Sequence, residues 1–221
     1  MPFRYSFDLS VYFIADPSVC GGRDVDEIVH AAARGGATMV QLRNKSGHLD
    51  ELRAQILACQ GALQNFEIPF LINDHVDLAH ELGADGVHLG QGDMDPAHAR
   101  EILGEDKIIG LTAFEPSHME ALNPEIVDYA GTGPFYETQT RKGKPLLGQE
   151  GGRPFKDLLN NCPVPVVGIG GIEPDTAAHV IQCGAAGVAM MRSVSEADDP
   201  QEAVAEFVRA VASARRTEAG T

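Results

Sequence analysis

The 221-residue chain is 43% hydrophobic and carries a formal net charge of −15, with 32 acidic side chains against 17 Lys plus Arg. That length can bury one large core, and so acidic a balance argues against a nucleic-acid-binding face. No apolar run approaches the ~18 residues of a membrane span, and the first residues carry no secretory pattern. Cys20, Cys59, Cys162 and Cys183 lack zinc-site or disulfide-frame spacing, which predicts reduced thiols and a cytoplasmic location.

Short apolar, β-branched runs recur along the chain: VYFIA (11–15), MVQLR (39–43), PFLIN (69–73), GVHLG (86–90), IIGLT (108–112), DYAGTG (128–133), VVGIGG (166–171) and GVAMM (187–191). Such near-continuous hydrophobicity predicts strands covered on both faces, as in a parallel sheet. Helical patterns lie between them. Asp24 with Glu27 suggests a capping box, and Gly35-Gly36 a stop. Leu49, Leu52, Ile56 and Leu63 share one helical face, and Pro174 suits a first turn. Val204, Phe207, Val208 and Val211 give the last helix an apolar stripe. Eight strand–helix alternations predict an α/β fold, a single (β/α)₈ TIM barrel over residues 1–221, in preference to a doubly wound open sheet. The tail ARRTEAGT (214–221) is expected to fray.

In such a barrel the chemistry belongs at the C-terminal ends of the strands. That gathers Gln41, Arg43, Lys45, Asn73, Asp74, Asp93 and Thr112 around one mouth. Asp74 alone could cap the helix near Val76. Asp95 stands before Pro96, where a cap belongs, so Asp93 has no evident structural task. Two carboxylates on adjacent strand ends suit a hard cation such as Mg²⁺, and Arg43 with Lys45 favours a phosphate-and-metal site over paired acid–base catalysis. The glycine turn GIGG after the seventh strand, paired with MMRS after the eighth, fits a barrel phosphate site. Two anion sites imply two phosphorylated substrates, or one doubly phosphorylated substrate. His88 reads as a hydrogen-bonded wall residue, and no nucleophilic triad is evident.

The stretch GTGPFYETQTRKGKP (131–145) leaves the sixth strand with Arg141, Lys142 and Lys144 in an acidic chain. Residues 134–153 show neither helical nor strand periodicity, and irregular segments that long are usually functional. They are expected to form an active-site lid, with Gly131, Gly133 and Gly143 giving it freedom to swing.

Together, QLRNK, INDHVDLAHELGADGVHLGQGD, IIGLT, DYAGTGPFYETQTRKG and VVGIGGI resemble the thiamine phosphate synthase family over nearly the whole chain. The resemblance implies a Mg²⁺-dependent transferase joining hydroxymethylpyrimidine diphosphate to thiazole phosphate, with release of pyrophosphate through a pyrimidine carbocation. It assigns the pyrimidine diphosphate to Gln41, Leu42, Arg43, Asn44, Lys45, Asn73 and Thr112, and Mg²⁺ to Asp74 and Asp93. It assigns the thiazole phosphate to Thr138, Gln139, Thr140, Gly171, Met191 and Arg192. Arg43, Lys45 and Arg141 would neutralise the leaving group. Arg141 stands where the family has lysine, Arg192 where serine is frequent, and Glu137 where proline is common. A related thiazole tautomerase uses a histidine near the sixth strand, where this chain has Pro134. A non-catalytic barrel that binds a thiamine precursor would have no use for two metal carboxylates.

Overall fold

The computed structural model describes residues 7–45, 48–139, 143, 145–160 and 162–219. In chain order come β1 (Val11–Ala15), a 3-10 turn (Pro17–Val19), α1 (Val25–Gly35), β2 (Met39–Leu42), α2 (Leu49–Leu63), β3 (Phe70–Asn73) and α3 (Val76–Leu82). β4 (Gly86–Leu89), α4 (Pro96–Leu103), β5 (Ile108–Thr112), α5 (Pro116–Glu120), β6 (Tyr129–Thr132) and α6 (Gln149–Leu159) follow. The chain closes with β7 (Val166–Ile169), α7 (Pro174–Gln182), β8 (Gly187–Met190), α8 (Arg192–Ser195) and α9 (Pro200–Ala219). The strands pair in parallel in sequence order, and β8 returns to β1, so the sheet is a closed barrel. This is the single (β/α)₈ barrel that the alternation predicts.

Strand side chains alternate between two cores, as their period of two requires. Val11, Phe13, Val40, Leu42, Ile72 and Val87 face outward, packed with the helices in the larger core. Tyr12, Ile14, Met39, Leu71, Ile108, Tyr129 and Val167 fill the barrel interior. Below the mouth, buried Arg100 from α4 joins α4 to the entry of β6. Its guanidinium donates to Asp128 Oδ2 at 2.7 Å, Ile126 O at 2.8 Å and Gly104 O at 2.9 Å. The same Asp128 oxygen accepts from Ile109 N at 2.7 Å, tying β5 to the segment before β6.

Three local expectations need correction. Asp24 occupies the N-cap of α1, but its side chain makes no capping bond. Leu49 is 60% exposed, because it sits at the first position of α2 before the helix has packed. The last helix continues through Ala219 instead of fraying from residue 214. Ala214 is buried, and Arg215 donates to Ser10 Oγ and Ala186 O, both at 2.6 Å, fixing the helix to the barrel floor.

Candidate active site

The C-terminal ends of the strands open into a cavity of about 580 Å³. Its cationic side is built by β2. Gln41, Arg43 and Lys45 line the cavity, whereas the alternate residues turn away from it. The Leu42 side chain packs in the outer core and Asn44 Nδ2 donates to Gln55 Oε1 on α2 at 2.9 Å, so these two side chains do not line the cavity. The Arg43 guanidinium is ion-paired with Asp16, at the end of β1. Asp16 is buried and also accepts from Ser18 N at 3.0 Å and Ser18 Oγ at 2.6 Å, which starts the 3-10 turn. Sequence reading missed Asp16, whose only signal is its position after an apolar strand.

Asp74 follows β3 with φ 64, a left-handed conformation that a non-glycine residue seldom adopts. His75, not Asp74, holds the N-cap position of α3, and no side chain caps that helix. The Asp74 carboxylate is therefore not occupied by the helix. It adjoins Asp93 and lies 3.3 Å from Lys45 Nζ. Asp95 does cap α4, accepting from Ala97 N at 2.9 Å and His98 N at 3.3 Å. Contrary to expectation, Asp93 has a structural task as well, since its Oδ2 accepts from Gly90 N at 2.7 Å. Burial and the adjoining Asp93 raise Asp74 above the ordinary carboxylate range, and Lys45 only partly offsets them. Burial also pushes Asp93 upward, but its hydrogen bonds with Asp74 and Gly90 N outweigh that and hold it below the ordinary value. The two neighbouring acids are therefore shifted in opposite directions.

Asn73 and Thr112 line the cavity beside these acids, and His88 forms part of its wall. Both ring nitrogens of His88 are engaged, Nδ1 with the Tyr129 hydroxyl at 2.9 Å and Nε2 with Thr112 Oγ1 at 3.0 Å. This is the wall role expected for it.

Gly170, Gly171, Met191, Arg192 and Ser193 form the opposite side. Gly170 and Gly171 have φ 99 and 64, and a Cβ on Gly171 would meet Glu137 O at 2.2 Å. The glycine pair thus lets the segment after β6 pass directly over the end of β7. That segment is tied there by Phe135 N to Ile169 O at 2.8 Å and Tyr136 N to Gly170 O at 2.9 Å. Leu147 N and Gly148 N return to Pro134 O at 3.0 Å and Phe135 O at 2.8 Å, closing the loop base. Gly131 and Gly133 are not swing points: Gly131 lies within β6, and a Cβ on Gly133 would meet Ile169 O at 2.1 Å. Thr138 and Gln139 line the cavity, whereas Thr140, Arg141, Lys142 and Lys144 lie outside the described residues. The Arg192 guanidinium pairs with Glu196, one turn further along, and both side chains line the cavity.

The family model for thiamine monophosphate synthase matches residues 11–194. The chain belongs to that family. Among its relatives, a thiamine-phosphate synthase of Xanthobacter autotrophicus is 41% identical over 209 residues, 95% of this chain and 98% of that one. One of Azorhizobium caulinodans is 40% identical, covering 96% and 99% of the two chains. The solved thiamine phosphate pyrophosphorylase of Pyrococcus furiosus superposes with a TM-score of 0.81 at 29% identity, covering 93% of this chain and 96% of that one.

Proposed function

We propose that this member of the thiamine monophosphate synthase family condenses hydroxymethylpyrimidine diphosphate with thiazole phosphate in the cytoplasm, giving thiamine phosphate and pyrophosphate with Mg²⁺ as cofactor. The observation that carries this reading is the layout of one cavity with two polar sides. Arg43, Lys45, Asp74 and Asp93 stand on one side, and Gly170, Gly171, Arg192 and Ser193 on the other. Ile14, Val167, Ile169 and Ala189 supply apolar surface suited to two flat rings.

Asp74 and Asp93 fit a magnesium ion. They offer hard oxygen donors, and two acids held side by side are a site that a cation relieves. Among the described residues no third His, Cys, Asp or Glu joins them, which suits an ion that retains waters and takes substrate phosphate oxygens. When bound, the metal would neutralise charge developing on the diphosphate.

Arg43 and Lys45 bind the diphosphate and stabilise its departure, and the C–O electron pair leaves with it. The amino group and ring nitrogens of the pyrimidine share the resulting positive charge. Thr138 and Gln139, with Gly171, Met191 and Arg192, hold the thiazole phosphate so that the ring nitrogen donates its lone pair to form the C–N bond. No proton is removed from either partner, so the site needs no general base. The expected lid does not reach residue 153, because α6 begins at Gln149; the segment between β6 and α6 would exclude water, which would otherwise capture the cation.

Incubating the protein with both precursors and Mg²⁺ should give thiamine phosphate, and excess chelator should abolish it. Absence of product with metal present would overturn the reading.

A further inference from the structure

A chain of hydrogen bonds runs through the barrel interior from one wall of the cavity to another. Gln41 Nε2 lies 2.5 Å from the Tyr12 hydroxyl, which lies 2.8 Å from the Tyr129 hydroxyl. Tyr129 continues to His88 Nδ1 at 2.9 Å, and His88 Nε2 reaches Thr112 Oγ1 at 3.0 Å. Gln41, Tyr12, His88 and Thr112 line the cavity, but Tyr129 is fully buried beneath it. The barrel gives up side chains to make room. A Cβ on Gly110 would meet the Tyr129 hydroxyl at 2.3 Å, and one on Gly131 would meet His88 Cε1 at 3.0 Å.

Burial holds both phenols protonated, well above their ordinary range. Each hydroxyl then has one proton to give and two neighbours, so it donates to one and accepts from the other. In its neutral form the His88 imidazole obeys the same rule through its two nitrogens, whereas a protonated ring would donate from both. The protons must therefore all point the same way along the chain. With the Gln41 amide donating to Tyr12, Tyr12 donates to Tyr129, and Tyr129 to His88 Nδ1. His88 then carries its proton on Nε2 and donates to Thr112. The Thr112 hydroxyl is left to donate into the cavity, and Gln41 Oε1 to accept from it.

We infer that these five residues form a relay of fixed direction, and that Tyr129, although it touches no substrate, is a positioning residue. It makes the site select a ring that turns a donor toward Gln41 and an acceptor toward Thr112. An aminopyrimidine has that pattern, in its amino group and its ring nitrogens. The oxo analogue, with a carbonyl and a ring N–H, has the opposite one. The choice of ring rests on the function proposed above; the direction of the relay does not.

Nitrogen NMR of labelled histidine, with His88 identified by the loss of its signals in His88→Gln, should show one tautomer in the ligand-free protein, protonated on Nε2. The informative variant is Tyr12→Phe, because Tyr12 makes no hydrogen bond to His88. Cutting the relay there frees Tyr129 to donate or accept, so His88 should become a mixture of tautomers. In Tyr129→Phe, inhibition constants for amino- and oxo-substituted hydroxymethylpyrimidine monophosphates should converge. Two mispaired contacts predict a wild-type preference of ~100-fold, expected to fall to ~10-fold or less. A wild-type His88 protonated on Nδ1, an unchanged single tautomer in Tyr12→Phe, or an undiminished preference in a folded Tyr129→Phe would each overturn the relay. If the wild type formed no thiamine phosphate while the tautomers behaved as stated, the proposed function would fall and the relay would stand.

Discussion

Replacing Asp74 by asparagine isolates one charge at the proposed metal pair. Asparagine tolerates the left-handed backbone at φ 64, so the substitution removes a carboxylate without asking the chain to move. The lost ion pair with Lys45 is a minor matter for stability. That lysine side chain is 53% exposed, and such pairs contribute less than ~1 kcal/mol. The cost falls on the cation. Opposite unit charges 4 Å apart attract by ~1 kcal/mol in water and ~4 kcal/mol at an effective dielectric of 20. A divalent ion doubles both figures, to ~2 and ~8 kcal/mol. Because the pair opens into a solvated cavity, the lower part of that range applies, about 2–3 kcal/mol. The half-saturating Mg²⁺ concentration should therefore rise roughly 30- to 150-fold, read from initial rates against metal at fixed substrate. Asp95→Ala is the control. It removes the α4 cap, worth ~1 kcal/mol, and should lower Tm by about 2–4 °C with no change in metal dependence. An unchanged metal titration in Asp74→Asn, or full activity in excess chelator, would refute the assignment.

Arg192→Ala should raise the KM for thiazole phosphate by about one to two orders of magnitude, the worth of a charge-assisted contact; an unchanged KM would leave the phosphate to backbone groups. Arg141→Ala should cut kcat by orders of magnitude, with Lys142→Ala and Lys144→Ala staying within a few-fold of wild type. The reverse ranking would shift the leaving-group cation by one position. Arg100→Ala leaves the buried Asp128 carboxylate without its partner and should cost about 3–5 kcal/mol, seen as a Tm lower by roughly 6–20 °C with the 25 °C rate preserved. A drop of only a degree or two would refute that estimate.

Sequence pattern located this barrel because each strand is buried on both faces and so reads as a short apolar run. The same pattern blurred finer detail. MVQLR marks β2, yet only the alternation along the strand separates Gln41 and Arg43, which face the cavity, from Leu42 and Asn44, which do not. Asp74 and Asp93 were legible as acids at adjacent strand ends, and Asp95 as a cap. The bond from Gly90 N to Asp93 was not, because a turn closed by a side chain leaves no periodic trace. Tyr12 and Tyr129 sit within apolar strand runs and carry no sequence signal of their own. Their hydroxyls meet only because β1 and β6, 117 residues apart in the chain, face each other across a closed barrel. Pairing across a barrel depends on closure and shear, which no local window of sequence contains.

The distribution of charge at the mouth would give the proposed metal a second use. Among the described residues, the basic side chains that line the cavity are Arg43, Lys45 and Arg192, and each already faces an acid: Asp16, Asp74 and Glu196. An anion entering this cavity therefore competes with carboxylates that the protein itself supplies. The three pairs are not equally easy to open. Asp16 is buried and held by Ser18, so Arg43 remains anchored while its outer face meets a ligand. The Lys45 and Arg192 side chains are 53% and 36% exposed, and pairs of that kind hold their partners weakly. A cation seated on Asp74 and Asp93 would take the acid that engages Lys45 and leave that ammonium for phosphate. In a chain with a net charge of −15, this local exchange would make the mouth less negative without any basic surface. It would also account for the two proposed metal acids standing directly beside the cation proposed for the diphosphate.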